Sequence, residues 1–310
     1  MLVTRLSLFA AIVLIGAFAA AIEPAFLNSR NLANILTQSA PVGIIAIGMT
    51  FVIIAGAIDL SVGAIAAFAG VLFATLLTDS FSYSYTAAVA ISLGCCAILG
   101  VVNGTLITRI GMAPFLATLG MMGIARGLAF VVSGGEPISG IAEELRVLFR
   151  PWIGLITPAA IILICFAFLS QILLASTVWG MRIVAVGSNE VAAKLSGLNV
   201  VRYKLVSFVV VAICSGVAGV LLVARLGSGQ PLAGNLYELD AIAAAVIGGG
   251  SLSGGRGDII GALLGVLLIV EMRNVVTILG LPTHVQPIFI GVLLIIAVTL
   301  DQYRRRSEAS

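Results

Sequence analysis

Runs of about twenty apolar residues follow one another along almost the whole chain, separated by short polar stretches. Twenty helical residues span the hydrocarbon core of a bilayer. Lipid offers no hydrogen bond to a free backbone group, so each run must satisfy its own backbone as a helix. The scarcity of charge agrees. Charged residues are 9% of the chain and hydrophobic residues 61%, whereas an ordinary soluble domain is about one quarter charged. The sequence predicts an all-α, polytopic membrane bundle in which residues 1–310 form a single unit, without a separate soluble domain.

Ten apolar segments are expected, at roughly 6–22, 39–58, 61–78, 85–108, 114–133, 152–174, 205–224, 239–250, 258–279 and 285–300. The first follows Arg5 and ends in Ala19-Ala20-Ala21, like a signal peptide. It is long for one, and a single charge precedes it, so an uncleaved span is expected. The eighth is too short to span alone and ends in Gly248-Gly249-Gly250. A broken or re-entrant segment is the expectation there, tolerated where protein covers the backbone or a cavity opens beside it.

Basic residues between the runs set the orientation. With the N-terminus in the cytoplasm, Arg5, Arg109, Arg182, Lys194, Arg202, Lys204, Arg256, Arg304, Arg305 and Arg306 lie inside. Arg30, Arg146, Arg150, Arg225 and Arg273 lie outside, and Arg126 sits within a span. The excess places both termini inside. The longest inner stretch, residues 175–204, predicts a short amphipathic helix capped by Ser188 and stopped by Gly197, between two sharp turns. Either it is an ordinary connector or it docks a cytoplasmic partner. Outside, residues 141–149 alternate apolar and charged at helical spacing and predict an interfacial helix.

Chemistry is sparse. Cys95, Cys96, Cys165 and Cys214 all lie within apolar runs and read as small buried hydrophobes. With His284 as the one histidine, no metal site or His-based catalytic group is expected. Leu252-Ser-Gly-Gly255 matches part of an ATP-clamping signature, but no phosphate-binding loop accompanies it, so it reads as a Gly-rich turn. Arg256-Gly257-Asp258 and the sequon at Asn103 carry equally little. An enzyme is not expected, nor a cofactor, nor a nucleic-acid partner.

Polar groups within spans are costly and face the bundle interior. Asp59, in Gly56-Ala-Ile-Asp-Leu-Ser-Val-Gly63, is placed to cap the next helix near Ser61 to Gly63, with direct substrate contact as the alternative. Asn103 and Asn274 either bridge helices or meet a polar solute. Arg126 requires a carboxylate or carbonyl partner. Gly123 with Gly127, and Gly261 with Gly265, have the spacing of close helix contacts. The segments 56–65 and 250–259 echo each other, as do 111–115 and 280–284, which suggests internal duplication of undefined symmetry.

Four blocks resemble one family. They are Gly48-Met-Thr-Phe-Val-Ile-Ile-Ala-Gly-Ala-Ile-Asp-Leu-Ser-Val-Gly63; Arg109 to Gly120 with Arg126-Gly127; Gly187-Ser-Asn-Glu-Val-Ala-Ala-Lys-Leu-Ser-Gly-Leu-Asn199; and Glu238 to Gly257. In order, and over nearly the whole chain, they are similar to the permeases of ribose-type sugar ABC importers. The resemblance implies a bacterial inner-membrane subunit that forms half of a monosaccharide pathway. Its partners would be ATPase subunits, which bind the ATP, a second permease copy or paralogue, and a periplasmic sugar-binding protein. It places the ATPase grip at Gly187, Asn189, Glu190, Ala192, Ala193 and Gly197, within a divergent form of the importers' Glu-Ala-Ala loop. Asp59, Ser61, Asn103 and Asn274 remain the candidate pathway or helix-start residues, suited to a neutral polyol. The alternatives are an ion-coupled secondary transporter, a branched-chain amino acid ABC permease, and an assembly subunit without transport.

Overall fold

The computed structural model describes residues 2–78, 80–141 and 143–309, with side chains described as far as Thr299 except at Glu143, Thr283 and Ala297. Arg304, Arg305 and Arg306, part of the orientation argument, have side chains outside the described set. The chain forms α1 (Leu2–Ile22), α2 (Ser29–Ile54), α3 (Val62–Leu77), α4 (Tyr85–Thr108), α5 (Pro114–Ser133), α6 (Pro158–Ser176), α7 (Val178–Ser188), α8 (Glu190–Leu195), α9 (Val200–Leu226), α10 (Tyr237–Ile247), α11 (Ile259–Ile278) and α12 (Gln286–Ala309). Among the described residues the β structure is limited to two isolated bridges. The outer segment expected as an interfacial helix is a 3-10 helix, Glu143–Phe149.

Seven of these helices are long and apolar enough to cross a membrane: α1, α2, α4, α5, α6, α9 and α11. The shorter α3 and α10 begin at breaks in the bundle, and the apolar part of α12 runs over Gln286–Ile296. The helix α2 starts some ten residues before the expected apolar segment. Its early polar side chains are satisfied locally: the Thr37 hydroxyl donates to the Ala33 carbonyl at 2.5 Å and Ser39 to Ile35 at 2.8 Å. A polar residue that bonds back one turn costs a span little.

The bundle is built around α2, whose apolar stretch is 94% buried, against 11% for α1 at the edge. The helix α9 packs along α2, α3 and α4, and α11 packs against α1, α2 and α10. Lipid tails are as apolar as leucine, so close backbone approach supplies the packing. Gly48 lies on Val211 and Cys214, and Gly100 on the Phe208 carbonyl and Ala212. Of the two glycine pairs read from the sequence, Gly261 and Gly265 meet Gly248 and Ala244 of α10. Gly123 and Gly127 have nothing within 4 Å and face away from the bundle. Cys165 also departs from expectation: it is exposed on the outer face of α6, while Cys96 and Cys214 are buried. Cys95 is intermediate, and all four thiols are free.

Two ion pairs join helices within the bundle. Arg5 of α1 holds Asp258 through two bonds of 2.6 and 2.7 Å, pinning the outlying first helix to the start of α11. Arg273, counted above with the outer loops, instead lies inside α11 and donates to Asp240 of α10 at 2.9 Å. The same carboxylate is its ion-pair partner at 2.7 Å.

Candidate functional site

The connector between α6 and α9 is a chain of caps. Thr177 caps α7 by accepting from the Gly180 N–H at 3.2 Å. Asn189 ends α7 in an extended conformation and caps α8, accepting from the Ala192 N–H at 2.9 Å. The cap is therefore Asn189 and not Ser188, which is still helical and donates its hydroxyl back to Val184. Gly197 ends the element as expected: φ is 80°, its N–H meets the Lys194 carbonyl at 3.0 Å, and Leu198 reaches Ala193. A left-handed residue here satisfies carbonyls that the short helix cannot. Asn199 caps α9 through the Arg202 N–H at 3.0 Å.

Six residues are too few for a helix stable by itself, so α8 depends on its surroundings. Ala193 is buried in a small cluster with Val186, Val200 and Tyr203. Glu190 is tied to Lys204 at 2.5 Å. The large apolar residues point the other way: Val191 is 69% exposed and Leu195 84%. An amphipathic helix serving only its own protein would bury these two. At a polar loop they form an exposed apolar face.

Gly187 stands one turn before α8 against the end of α2. A Cβ there would overlap the Ile54 carbonyl oxygen. Beyond Ile54 the chain breaks before α3, and here Asp59, Ser61 and Asn103 come together, all fully buried. Asp59 Oδ1 accepts from the Ser61 N–H at 2.8 Å and from its hydroxyl at 2.5 Å. Asn103 Nδ2 of α4 donates to the Ser61 oxygen at 3.0 Å. Asp59 thus organises the entry into α3 through Ser61. Burial of Asn103 also leaves its sequon without access to solvent.

Asn274 is elsewhere. It forms a reciprocal amide pair with Asn31 of α2 at 2.7 and 2.9 Å, which joins α11 to α2. The sequence did not single out Asn31, although an amide among apolar residues marked it as much as Asn274. Arg126 finds carbonyls, donating to Pro231 at 2.6 Å and Ala233 at 3.3 Å. Those carbonyls belong to the link between α9 and α10. In that link Leu236 takes a left-handed φ of 68° and precedes α10 without a side-chain cap. Such strain in a non-glycine residue costs about 1–2 kcal/mol.

An open cavity of about 960 Å³ lies at the start of α2, between it and the 149–157 loop. Asn28, Asn31, Asn34, Thr37 and Thr157 line it, together with Arg30 and Phe149. Its wall sets these polar groups in a surface that is mostly apolar, with Ala25, Ala33, Pro151 and Leu155 among the lining residues, and residues 28–37 supply most of it, a stretch outside the expected spans.

Residues 31–298 match the family model described as the permease component of branched-chain amino acid transport systems. Among characterised proteins, the ribose import permease of Bacillus subtilis (strain 168) is 42% identical over 284 residues, 91% of this chain and 87% of that protein. The ribose import permease of Escherichia coli (strain K12) is 38% identical over 98% of this chain and 95% of its own length. The L-arabinose ABC transporter permease of Azospirillum brasilense is 37% identical over 92% of this chain and 84% of its own. No solved structure matches the chain.

Proposed function

We propose, for a chain that belongs to the permease family of ribose-type ABC sugar importers, that it forms half of a pathway for a neutral monosaccharide and takes its energy from a cytoplasmic ATPase through α8. The observation that carries the coupling assignment is the outward apolar pair Val191 and Leu195 on a six-residue helix held between two caps. A partner groove on the ATPase covers that face. Gly187, Asn189, Glu190, Ala192, Ala193 and Gly197 shape and aim it; only the side chains beyond them make the grip.

Alternating access then follows from mass motion. ATP closes the ATPase dimer, α8 is displaced, and two permease copies rock about their shared pathway. A binding protein on the far side delivers the sugar, and both termini stay on the ATPase side. The names of the relatives, covering ribose, L-arabinose and D-allose, favour a monosaccharide. The amides and hydroxyls set in the cavity wall near α2 suit such a solute, because neutral hydrogen bonds exchange readily as a polyol moves. Asn103 and Asn274 serve the frame of the pathway, since each is buried against another helix.

An ion-coupled transporter is less well supported. Its relay needs free carboxylates along the bundle. Asp59 is held by Ser61, Asp240 by Arg273 and Asp258 by Arg5, which leaves Glu271 of α11, with one buried oxygen that has no hydrogen-bond partner, as one candidate group and not a relay. The discriminating experiment is uptake into vesicles holding the permease, its ATPase and its binding protein, comparing pentoses and hexoses with branched-chain amino acids. ATP-dependent uptake of a monosaccharide is expected. Uptake of amino acids without sugar overturns the substrate class, and uptake driven by an ion gradient without ATP overturns the coupling.

A further inference from the structure

The Gly-rich turn at residues 251–257, which the sequence reading set aside as a chance match, packs where three chain segments touch backbone to backbone. The Gly255 N–H donates to the carbonyl of Ile54, the last residue of α2, at 2.8 Å. Gly187 lies over the same carbonyl, and a Cβ on it would also come within 2.6 Å of the Gly255 nitrogen. A Cβ on Gly254 would sit 2.6 Å from the Gly187 oxygen and 2.8 Å from the Gly56 Cα. One on Gly255 would overlap the Ser188 hydroxyl and lie 2.7 Å from the Ser188 Cα. The two echoing segments, 56–65 and 250–259, thus touch here, with the residues that lead into α8 wedged on them.

We propose that Gly56, Gly187, Gly254 and Gly255 form a mechanical joint that carries displacement of α8 into the membrane. The inference rests on the coupling role assigned to α8. Backbone contacts have no rotamers to absorb a shift, and close-packed interiors transmit strain. From the joint, movement has two routes. Ile54 leads into the break that holds Asp59, Ser61 and Asn103. The turn leads through Asp258 into α11, and through Arg5 into α1. Gly254, Gly255 and Gly56 are positioning residues: they touch neither nucleotide nor sugar.

A purely structural role for these glycines predicts a different result from a joint, and the difference shows in stoichiometry. In vesicles with the ATPase and binding protein, Gly254→Ala is expected to keep the complex assembled and hydrolysing ATP. Sugar taken up per ATP should fall roughly 3- to 30-fold, the range for mutations along a coupling route. Uptake and hydrolysis falling in proportion, or neither falling, overturns the joint. Should the variant fail to assemble, the unaltered glycines are tested by distance. Spin labels go on Ala185→Cys with Ser253→Cys, and on Ala185→Cys with Met112→Cys, in a background with the four native cysteines replaced. The 185–253 distance should stay constant between nucleotide-free and ATP-trapped complexes while 185–112 changes. Equal changes in both pairs overturn the proposal. Failure of the ATPase to bind the wild-type permease would overturn the coupling role of α8 itself, a separate outcome.

Discussion

At the scale of single residues, the most informative group is Asp59. Its buried carboxylate holds the N–H and hydroxyl of Ser61, and Asn103 closes the chain of bonds from α4. Asp59→Asn keeps an acceptor oxygen in place and should retain most of the uptake measured in vesicles. Asp59→Leu leaves the Ser61 N–H and hydroxyl without their acceptor. A buried donor left unsatisfied costs about 1–3 kcal/mol, so this variant should lose both thermal stability in detergent and transport. Equal loss in the two variants would make the charge itself essential. Gly197 is a second residue whose role is conformational: φ is 80° and its surroundings are open. Gly197→Val should insert normally but bend the exit of α8, at about 1–2 kcal/mol of backbone strain. Permease-stimulated ATP hydrolysis should fall. Normal stimulation in that variant would remove Gly197 from the coupling element.

Among the elements, α8 departs furthest from what its composition suggests. Read as a helical face, Glu190 to Leu195 predicts apolar residues turned inward. The structure turns in the small Ala193 and leaves Val191 and Leu195 outside. The reason is geometry at the caps: Asn189 and Gly197 fix where the helix starts and stops, and six residues leave no choice of which face meets α9. Placing charge on that face, as Val191→Asp with Leu195→Asp, should abolish co-purification of the ATPase while membrane insertion and thermal unfolding stay near wild type. Retained ATPase in that double variant would put the docking surface elsewhere. The neighbouring α10 was expected to be short, and it is, but its strained start at Leu236 was not visible in advance. A left-handed leucine is imposed by what surrounds it, here the link carrying the carbonyls that Arg126 binds.

For the whole molecule, the arrangement is a buried α2 with long helices packed around it and three segments meeting at glycines near its end. Sidedness is a property of this scale and can be read directly. In a background with the native cysteines replaced, Lys194→Cys should react with a membrane-impermeant maleimide only from the cytoplasmic side. Glu136→Cys, in the loop after α5, should react only from the opposite side. The reverse pattern would invert the topology and remove α8 from the reach of any cytoplasmic ATPase.

Sequence by itself determined the class of the molecule, because lipid leaves helices as the one solution for long uncharged runs in a chain of this kind. It also determined the short α10 and the stop at Gly197, since each depends on residues a few positions apart. Glycine spacing was legible only in part. Gly261 with Gly265 and Gly123 with Gly127 read alike, yet one pair packs on α10 and the other faces outward. Tertiary structure decided that, along with the partners of Arg126, Arg5, Arg273 and Asn274, which lie far away along the chain. It also turned the unpromising Leu252-Ser-Gly-Gly255 into a contact with α2 and α7. The physical reason is common to all of these. A hydrogen bond or close backbone contact between distant segments is chosen by how helices pack in three dimensions, and local spacing carries no record of which helix will stand opposite.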